Sequence, residues 1–364
     1  MAVKPVKCKP RFLLAGISTL VMVIAASCGG GAVMTGMTTR IWMPKRDPGF
    51  RLGERVVAAK TSRGIEVAIA LGAQRIATAV LSGPRVTAEE VPGTIAKFGS
   101  RSIWREGVIV PLEGEPVALP ETLSPHDEPD RHRFTVDPGG VLITAPSAWS
   151  ALHRVTPRGI SWTIGSGTQD SESRVTDFAS DRDRVFVGFT DGNSSVLAAY
   201  NQSAVEQWRT TLGGAAGQLA ISEDSKQIAV ITRAPTRCES CLDLEILSTG
   251  DGRALTSIAL PPPGEGIPIT LDGDPQRGRA SIGFTHGQVW FHHWSPTYVD
   301  DMGSGRVPEK CGYAVYDVEN RRLARSKTQE CRIRAMVGLE DGTVITVEVS
   351  GESDVTVTTT SGPP

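Results

Sequence analysis

The fold of this chain is decided by residues 184–212, which read RVFVGFTDGNSSVLAAYNQSAVEQWRTTL. Three strings rich in Val, Phe, Leu, Ala and Thr cover residues 185–189, 196–200 and 205–212, and two polar turns separate them. Short strings of β-branched and aromatic residues between such turns are typical of antiparallel strands joined by hairpins. The stretch therefore predicts three consecutive strands, with Trp208 on the third.

The same arrangement recurs on both sides of this stretch. A preceding unit begins at Val141 and carries Trp162 on its last strand, and a following unit runs from Ile228 to Leu260. Successive units open on an aspartate about 44 residues apart, which is within the range for four-stranded propeller blades. These aspartates are Asp137, Asp181 and Asp224. Similar openings bring the predicted count to about seven units, and they lie near Thr61, Gly99, Asp272 and Asp341.

Two phrases of the repeat point to a known kind of protein. Leu197-Ala198-Ala199-Tyr200-Asn201, followed by Glu206-Gln207-Trp208, resembles the repeats of PQQ-like and WD40-like β-propellers. The resemblance covers about residues 50–360, and Trp is replaced near Leu255 and Leu323. It implies an all-β domain over residues 50–364 with about seven four-stranded blades. An eight-bladed ring or a pair of β-sandwiches is the alternative.

Ring closure has a candidate strand at the carboxyl end of the chain. A lone four-stranded sheet exposes both faces and an edge, whereas blades stacked around an axis bury the faces and protect the edges. Strands from the two ends of the chain can fasten such a ring. Val355-Thr356-Val357-Thr358 alternates in the way expected of the carboxyl-terminal contributor.

The amino-terminal segment has the pattern of an export signal. Basic residues at positions 4, 7, 9 and 11 precede an apolar run over residues 12–24, which is shorter than a bilayer-spanning helix. The following Ala25-Ala26-Ser27-Cys28 resembles the lipobox of bacterial lipoproteins, although Ala25 stands where Leu is commonest. The resemblance implies removal of residues 1–27 and lipidation of Cys28. An ordinary secretory signal is the alternative, and both predict a location outside the cytoplasm.

Small and polar residues then predict a flexible tether over residues 28–49, because glycine-rich sequence has high chain entropy and little apolar surface. We therefore expect a protein of the cell envelope, anchored by its lipid to a bacterial membrane.

The formal charge of the whole chain is −2. Removing residues 1–27 leaves 34 basic against 40 acidic residues, a net charge of −6. This balance argues against nucleic acid as a partner.

The remaining cysteines form an even set, as expected of an exported protein. They are Cys238, Cys241, Cys311 and Cys331. Four thiols allow three pairings, and we favour two local disulfides, 238 with 241 and 311 with 331. The second pair flanks residues 313–325, a predicted hairpin with its turn around Glu319 and Asn320.

The most aromatic stretch covers residues 285–310 and interrupts the repeat. Trp and Tyr are enriched at interfaces and ligand sites, so it is the candidate binding region. The residues assigned to it are Trp290, His292, Trp294 and Tyr298. In the alternative interpretation, residues 289–294 form a core strand and the remainder an extended loop. His292 and His293 are adjacent, so on a strand they point to opposite faces and cannot bind one metal ion.

Local motifs identify no reaction centre. There is no nucleophile elbow, phosphate loop or zinc helix, and the ligands of quinone-dependent propellers cannot be matched to residues of this chain. We expect neither a cofactor nor a metal. The sequence favours a membrane-anchored scaffold that binds another envelope protein or a small ligand. The alternative is an anchored propeller hydrolase, lyase or dehydrogenase, with a site assembled from several blades at the mouth of the channel.

Overall fold

A computed structural model provides the structure of the chain. It describes residues 36–45, 47, 56–72, 74–95, 98–99, 102–105, 108–112, 114–123, 133–137, 139–144, 151–165, 174–190, 195–214, 216–233, 241–260, 279–295, 298–299, 306–307, 310–328, 333–349 and 354–363. The predicted signal segment and Cys28 lie outside this part of the chain. Among the residues described, no helix has the length and apolar character needed to span a bilayer.

Thirty-one strands lie within the described ranges. The first ten are β1 (Met37–Trp42), β2 (Val56–Thr61), β3 (Gly64–Ala70), β4 (Arg75–Leu81), β5 (Arg85–Thr87), β6 (Glu89–Pro92), β7 (Phe98–Gly99), β8 (Ser102–Arg105), β9 (Val108–Pro111) and β10 (Val117–Ala118). The next twelve are β11 (Arg133–Asp137), β12 (Gly140–Thr144), β13 (Ala151–Thr156), β14 (Gly159–Gly165), β15 (Arg174–Ser180), β16 (Arg184–Thr190), β17 (Ser195–Asn201), β18 (Glu206–Leu212), β19 (Ala216–Ile221), β20 (Gln227–Arg233), β21 (Leu242–Ser248) and β22 (Ala254–Ala259). The last nine are β23 (Arg279–Thr285), β24 (Gln288–Ser295), β25 (Tyr298–Val299), β26 (Arg306–Val307), β27 (Lys310–Asp317), β28 (Arg322–Thr328), β29 (Ile333–Gly338), β30 (Val344–Val349) and β31 (Asp354–Thr360).

Most strands belong to antiparallel sheets that follow one another along the chain. Sheets of four strands are formed by β2, β3, β4 and β6, by β15–β18, by β19–β22, and by β23, β24, β27 and β28. Strands β11–β14 form another sheet, to which β7 adds in parallel. The first strands β11, β15, β19, β23, β29 and β2 contact one another in this order. Sheets arranged in this way around their first strands are the blades of a β-propeller.

The number of complete blades differs from the prediction. The described residues form six sheets of four or five strands, whereas β8–β10 form a sheet of only three. Six complete blades therefore correct the expected count of about seven and the alternative of eight. The described part of this sheet is rich in proline, which removes a ladder hydrogen bond and is confined to strand ends and edges. Three prolines lie there: Pro111, Pro116 and Pro120.

The sheet formed by β29, β30, β31, β1 and β5, here called the closure sheet, joins the two ends of the chain. Strand β1 pairs antiparallel with β31 over six residue pairs, from Met37 opposite Thr359 to Trp42 opposite Asp354. The predicted closure through residues 355–358 is confirmed. Strand β1 lies inside the range 28–49 predicted as a tether, so this part of that prediction is wrong. Its register with β31 places Ile41 in the core beside Val355.

Apolar side chains of neighbouring sheets share common clusters, so the core lies between blades. Ile41 and Val357 of the closure sheet pack with Val56 and Val67 of the following sheet. Phe186 and Leu197 pack in the same way with residues of the sheet β19–β22.

The repeating aspartates occupy equivalent positions, each at the turn after the first strand of a blade. The carboxylate oxygen accepts a hydrogen bond from the backbone N–H two residues later, at 2.9 Å for Asp137 and Asp181 and 3.1 Å for Asp224 and Asp341.

Candidate functional site

The aromatic stretch 285–310 interrupts one blade, as expected. Strands β24 and β27 are neighbours in their sheet, and the small sheet β25–β26 lies between them in the sequence. A four-stranded blade needs only a short connection at this point, so the insertion adds chain that the sheet itself does not use. The predicted excursion is therefore confirmed in position, although residues 288–295 belong to the blade.

Two of the four residues assigned to binding are part of the core. Trp290 is 1% exposed and His292 is 2% exposed. A side chain on Gly283 would overlap the Trp290 ring, so this glycine makes room for the indole. His292 Nε2 lies 3.4 Å from the carbonyl oxygen of Ile333. Neither side chain offers surface to a partner, which corrects the expectation for these two residues.

Trp294 and Tyr298 lie on β24 and β25, and their side chains are outside the part described.

The predicted hairpin after them is confirmed, because β27 and β28 pair antiparallel around the turn at 318–321. Cys311 is opposite Trp294 in the ladder between β24 and β27. Cys238 and Cys331 are outside the described residues, so both disulfide pairings stay predictions.

A histidine and a glutamate meet where three turns come together. His286 Nδ1 lies 2.8 Å from Glu223 Oε1, and the His286 backbone N–H donates to Glu223 Oε2 at 3.1 Å. His286 lies in the turn after β23 with φ of 50°, and Glu223 lies in the turn after β19. A side chain on Gly342, in the turn after β29, would overlap Glu223. This pair links two neighbouring blades, and the turn of a third lies beside it.

Arginine and tryptophan side chains fasten neighbouring blades to one another. Arg154 Nη1 and Trp162 Nε1 both donate to the carbonyl oxygen of Gln202 at 3.1 Å. Gln202 lies in the turn between β17 and β18 of the next sheet. Two donors of one blade thus share an acceptor of its neighbour, an arrangement that we call a clamp. Sequence reasoning identified Trp162 as a repeat marker but missed its acceptor.

A second clamp repeats this geometry one blade later. Trp208 Nε1 donates to the Thr249 carbonyl oxygen at 2.9 Å, and Arg184 Nη1 donates to the same atom at 2.6 Å. Thr249 lies in the turn between β21 and β22. Both clamps use backbone carbonyl oxygens as acceptors. Any residue type carries such an oxygen, so the sequence could not identify Gln202 or Thr249 as the acceptors. The signal that was available is the recurrence of Trp in the fourth strand.

Two ionisable side chains near the clamps are strongly affected by burial. Asp137 pairs with Arg154 where both side chains are buried, and burial raises the pKa of this carboxyl above its ordinary value, while Arg154 acts in the opposite direction. Burial also raises the pKa of Tyr200 to about 12, with a further contribution from Glu206. Within the described ranges, no three His, Cys, Asp or Glu side chains lie together as a metal site would require.

Exposed apolar side chains are few and unevenly distributed. Five large ones are exposed in the part of the chain that is described: Met37, Trp42, Ile160, Val205 and Leu323. The last three belong to different blades. Met37 and Trp42 lie on the same strand, β1, and Trp42 is 61% exposed. Sequence reasoning missed this surface because it assigned these residues to the tether.

Comparisons with known proteins show the fold. No protein-family model matches the chain, and no curated protein matches it. The chain is similar to the WD40 domain of Toxoplasma gondii coronin, with 9% identity, a TM-score of 0.50, and coverage of 91% of this chain and 87% of that one. A chain of a mitotic checkpoint complex is 12% identical, with a TM-score of 0.49 and coverage of 93% and 98%. The first of these similarities shows a WD40-like β-propeller fold.

Proposed function

We propose that this protein is a membrane-anchored, extracytoplasmic β-propeller that binds an envelope protein as a scaffold. The observation that carries the proposal is the pairing of β1 with β31. Cys28 lies nine residues before Met37 in the sequence, so a short segment would join a lipid on this cysteine to the strand that closes the ring. Nine residues span at most about 30 Å when fully extended. The propeller is thus held close to the bilayer.

The topology of the blades suggests which rim binds the partner. In an antiparallel sheet, alternate connections leave from opposite ends of the strands. The connections after the first and third strands are short turns, such as residues 181–183 and 202–205. The connections after the second and fourth strands share the other rim, and the aromatic stretch between β24 and β27 is one of them. Because Trp and Tyr are frequent anchors of interfaces, we assign Trp294 and Tyr298 to the binding rim.

Anchoring is tested by Cys28→Ser. The variant should leave the membrane fraction and lose incorporation of labelled fatty acid, while its circular dichroism matches the wild type. Ser27→Ala is the control, because it keeps a small residue before the cysteine and should still be lipidated. A Cys28→Ser variant that fractionates with membranes as before would disprove the anchor.

Binding is tested by crosslinking in membranes followed by capture of the protein. A double variant, Trp294→Ala with Tyr298→Ala, should capture several-fold less of the partner and keep its thermal midpoint. Ile160→Ala, on the outer strand β14, is the control and should capture as much as wild type. Undiminished capture by a stable double variant would remove this rim from the proposal. A large drop in the thermal midpoint would show that the two aromatic residues belong to the core.

A further inference from the structure

Strand β1 carries an exposed tryptophan, Trp42, on a backbone that hydrogen bonds hold in place. Residues 38, 40 and 42 are exposed and alternate with buried Thr39 and Ile41, so one face of the strand is open. The backbone around Trp42 is held on both sides, since it pairs with β31 and its carbonyl oxygen accepts a hydrogen bond from the Ala88 N–H at 3.0 Å. Trp42 is therefore displayed on a fixed backbone and is 61% exposed.

Basic side chains accompany Trp42 on the outer strands of the closure sheet. Arg40 lies on the same face and pairs with Asp354 of β31. Arg85 of β5 is opposite Arg40 in the ladder and is exposed. An indole combines a large apolar surface with one N–H donor, and such side chains prefer the boundary between acyl chains and headgroups. Arg40 is neutralised by Asp354, which is opposite Trp42 in the ladder, whereas the exposed Arg85 can donate to headgroup phosphates.

We propose that the outer face of the closure sheet, centred on Trp42, rests on the bilayer that holds the lipid of Cys28. The inference rests on the proposed anchoring and adds the orientation of the propeller. Met37 is within about 30 Å of the lipidated residue along the chain, and Trp42 is about 17 Å further along the strand. Of the exposed large apolar side chains that are described, Met37 and Trp42 are the nearest to Cys28 along the chain. The tether thus keeps this face at a high local concentration near the membrane.

The test uses lipidated full-length protein in phosphatidylcholine vesicles that contain no other protein. Bromine on the acyl chains quenches indole fluorescence only at close range. We expect brominated vesicles to lower the tryptophan emission of the wild type relative to unbrominated ones, and Trp42→Phe to lose more than half of this difference. Trp208→Phe, in a distant blade, is the matched control and should retain it.

The outcomes separate this inference from the anchoring on which it rests. Mass spectrometry of the reconstituted sample reports the acyl chains on Cys28; their absence refutes the anchor. If the acyl chains are present but Trp42→Phe and wild type are quenched equally, the orientation alone is wrong. Trp42 would then face solvent in this sample, because the vesicles contain no other protein that could shield it.

Discussion

Neighbouring blades are held together by different contacts in two regions of the molecule, the blades around β15–β18 and the closure sheet. In the first region, neighbouring blades are local in sequence and are linked by the two clamps, in which Trp and Arg donate to a carbonyl oxygen of the next blade. The closure sheet also accepts a hydrogen bond of this kind, from Arg325 Nη2 of the preceding blade to the Pro363 carbonyl oxygen, and Lys60 of the next blade pairs with its Asp341. It joins strands whose paired residues are more than 300 positions apart, and it packs Ile41 and Val357 on the next blade.

The two regions therefore differ in the balance of polar and apolar contacts within one fold. A clamp depends on one or two directional hydrogen bonds, so it tolerates little change in its donors. The closure depends on buried apolar area and on a ladder of backbone hydrogen bonds that any residue except proline can form. We therefore expect the two regions to respond differently to substitution, and the following variants measure how far they differ.

The largest effect is expected at the buried ion pair of the first clamp. Asp137→Ala leaves the Arg154 guanidinium, whose side chain is 5% exposed, without its carboxylate. An uncompensated buried charge costs about 3–5 kcal/mol of unfolding free energy. Urea denaturation followed by circular dichroism measures this loss. Lys226→Ala is the control, since its exposed pair with Asp224 should contribute less than about 1 kcal/mol. Equal losses in the two variants would contradict the importance of burial.

A somewhat smaller effect is expected at the closure. Ile41 is fully buried between the closure sheet and the next blade. Ile41→Ala should lower the unfolding free energy by about 2–5 kcal/mol, because it removes apolar contacts and leaves a cavity. Thr38→Ala, exposed on the same strand, should change it by no more than about 0.5 kcal/mol. If both variants unfold like the wild type in the same denaturation experiment, β1 does not hold the ring closed.

The smallest effect concerns a single hydrogen bond of the second clamp. Trp208→Phe keeps an aromatic ring beside Phe186 and removes the Nε1–H that donates to Thr249. The expected loss is about 1 kcal/mol, the usual net contribution of one such bond. Differential scanning calorimetry should show a lower thermal midpoint than for Trp42→Phe, which changes an exposed ring. Indistinguishable midpoints would mean that the clamps add no stability.

The sequence predicted the regular blades because their signals are local. Residues 185–189 and 196–200 fall within β16 and β17, and the aspartate turns recur at equivalent places. Strand β1 could not be predicted in this way. Its partner β31 lies at the other end of the chain, so only tertiary structure shows the pairing.

The candidate site shows a similar limit. Val289, Trp290 and Phe291 form a continuous apolar run, which is the pattern of a strand buried on both faces. This signal favoured a core position for Trp290 over a binding role. The exposure of Trp42 could not be predicted in this way, because a tryptophan between Ile41 and Met43 is compatible with either burial or exposure. What distinguished it is the alternation that β1 adopts once it is paired.

The joining of β1 to β31 also determines how the ring responds to mechanical load. A pull applied to the chain before Met37, where the proposed lipid lies, enters the fold at the start of β1. The cross-strand hydrogen bonds stand perpendicular to the strands, so a force along β1 shears all six residue pairs together instead of opening them one after another. Shear distributes the force over the whole ladder. The strand that closes the ring is therefore also the first element of the fold to bear tension applied to the amino-terminal segment.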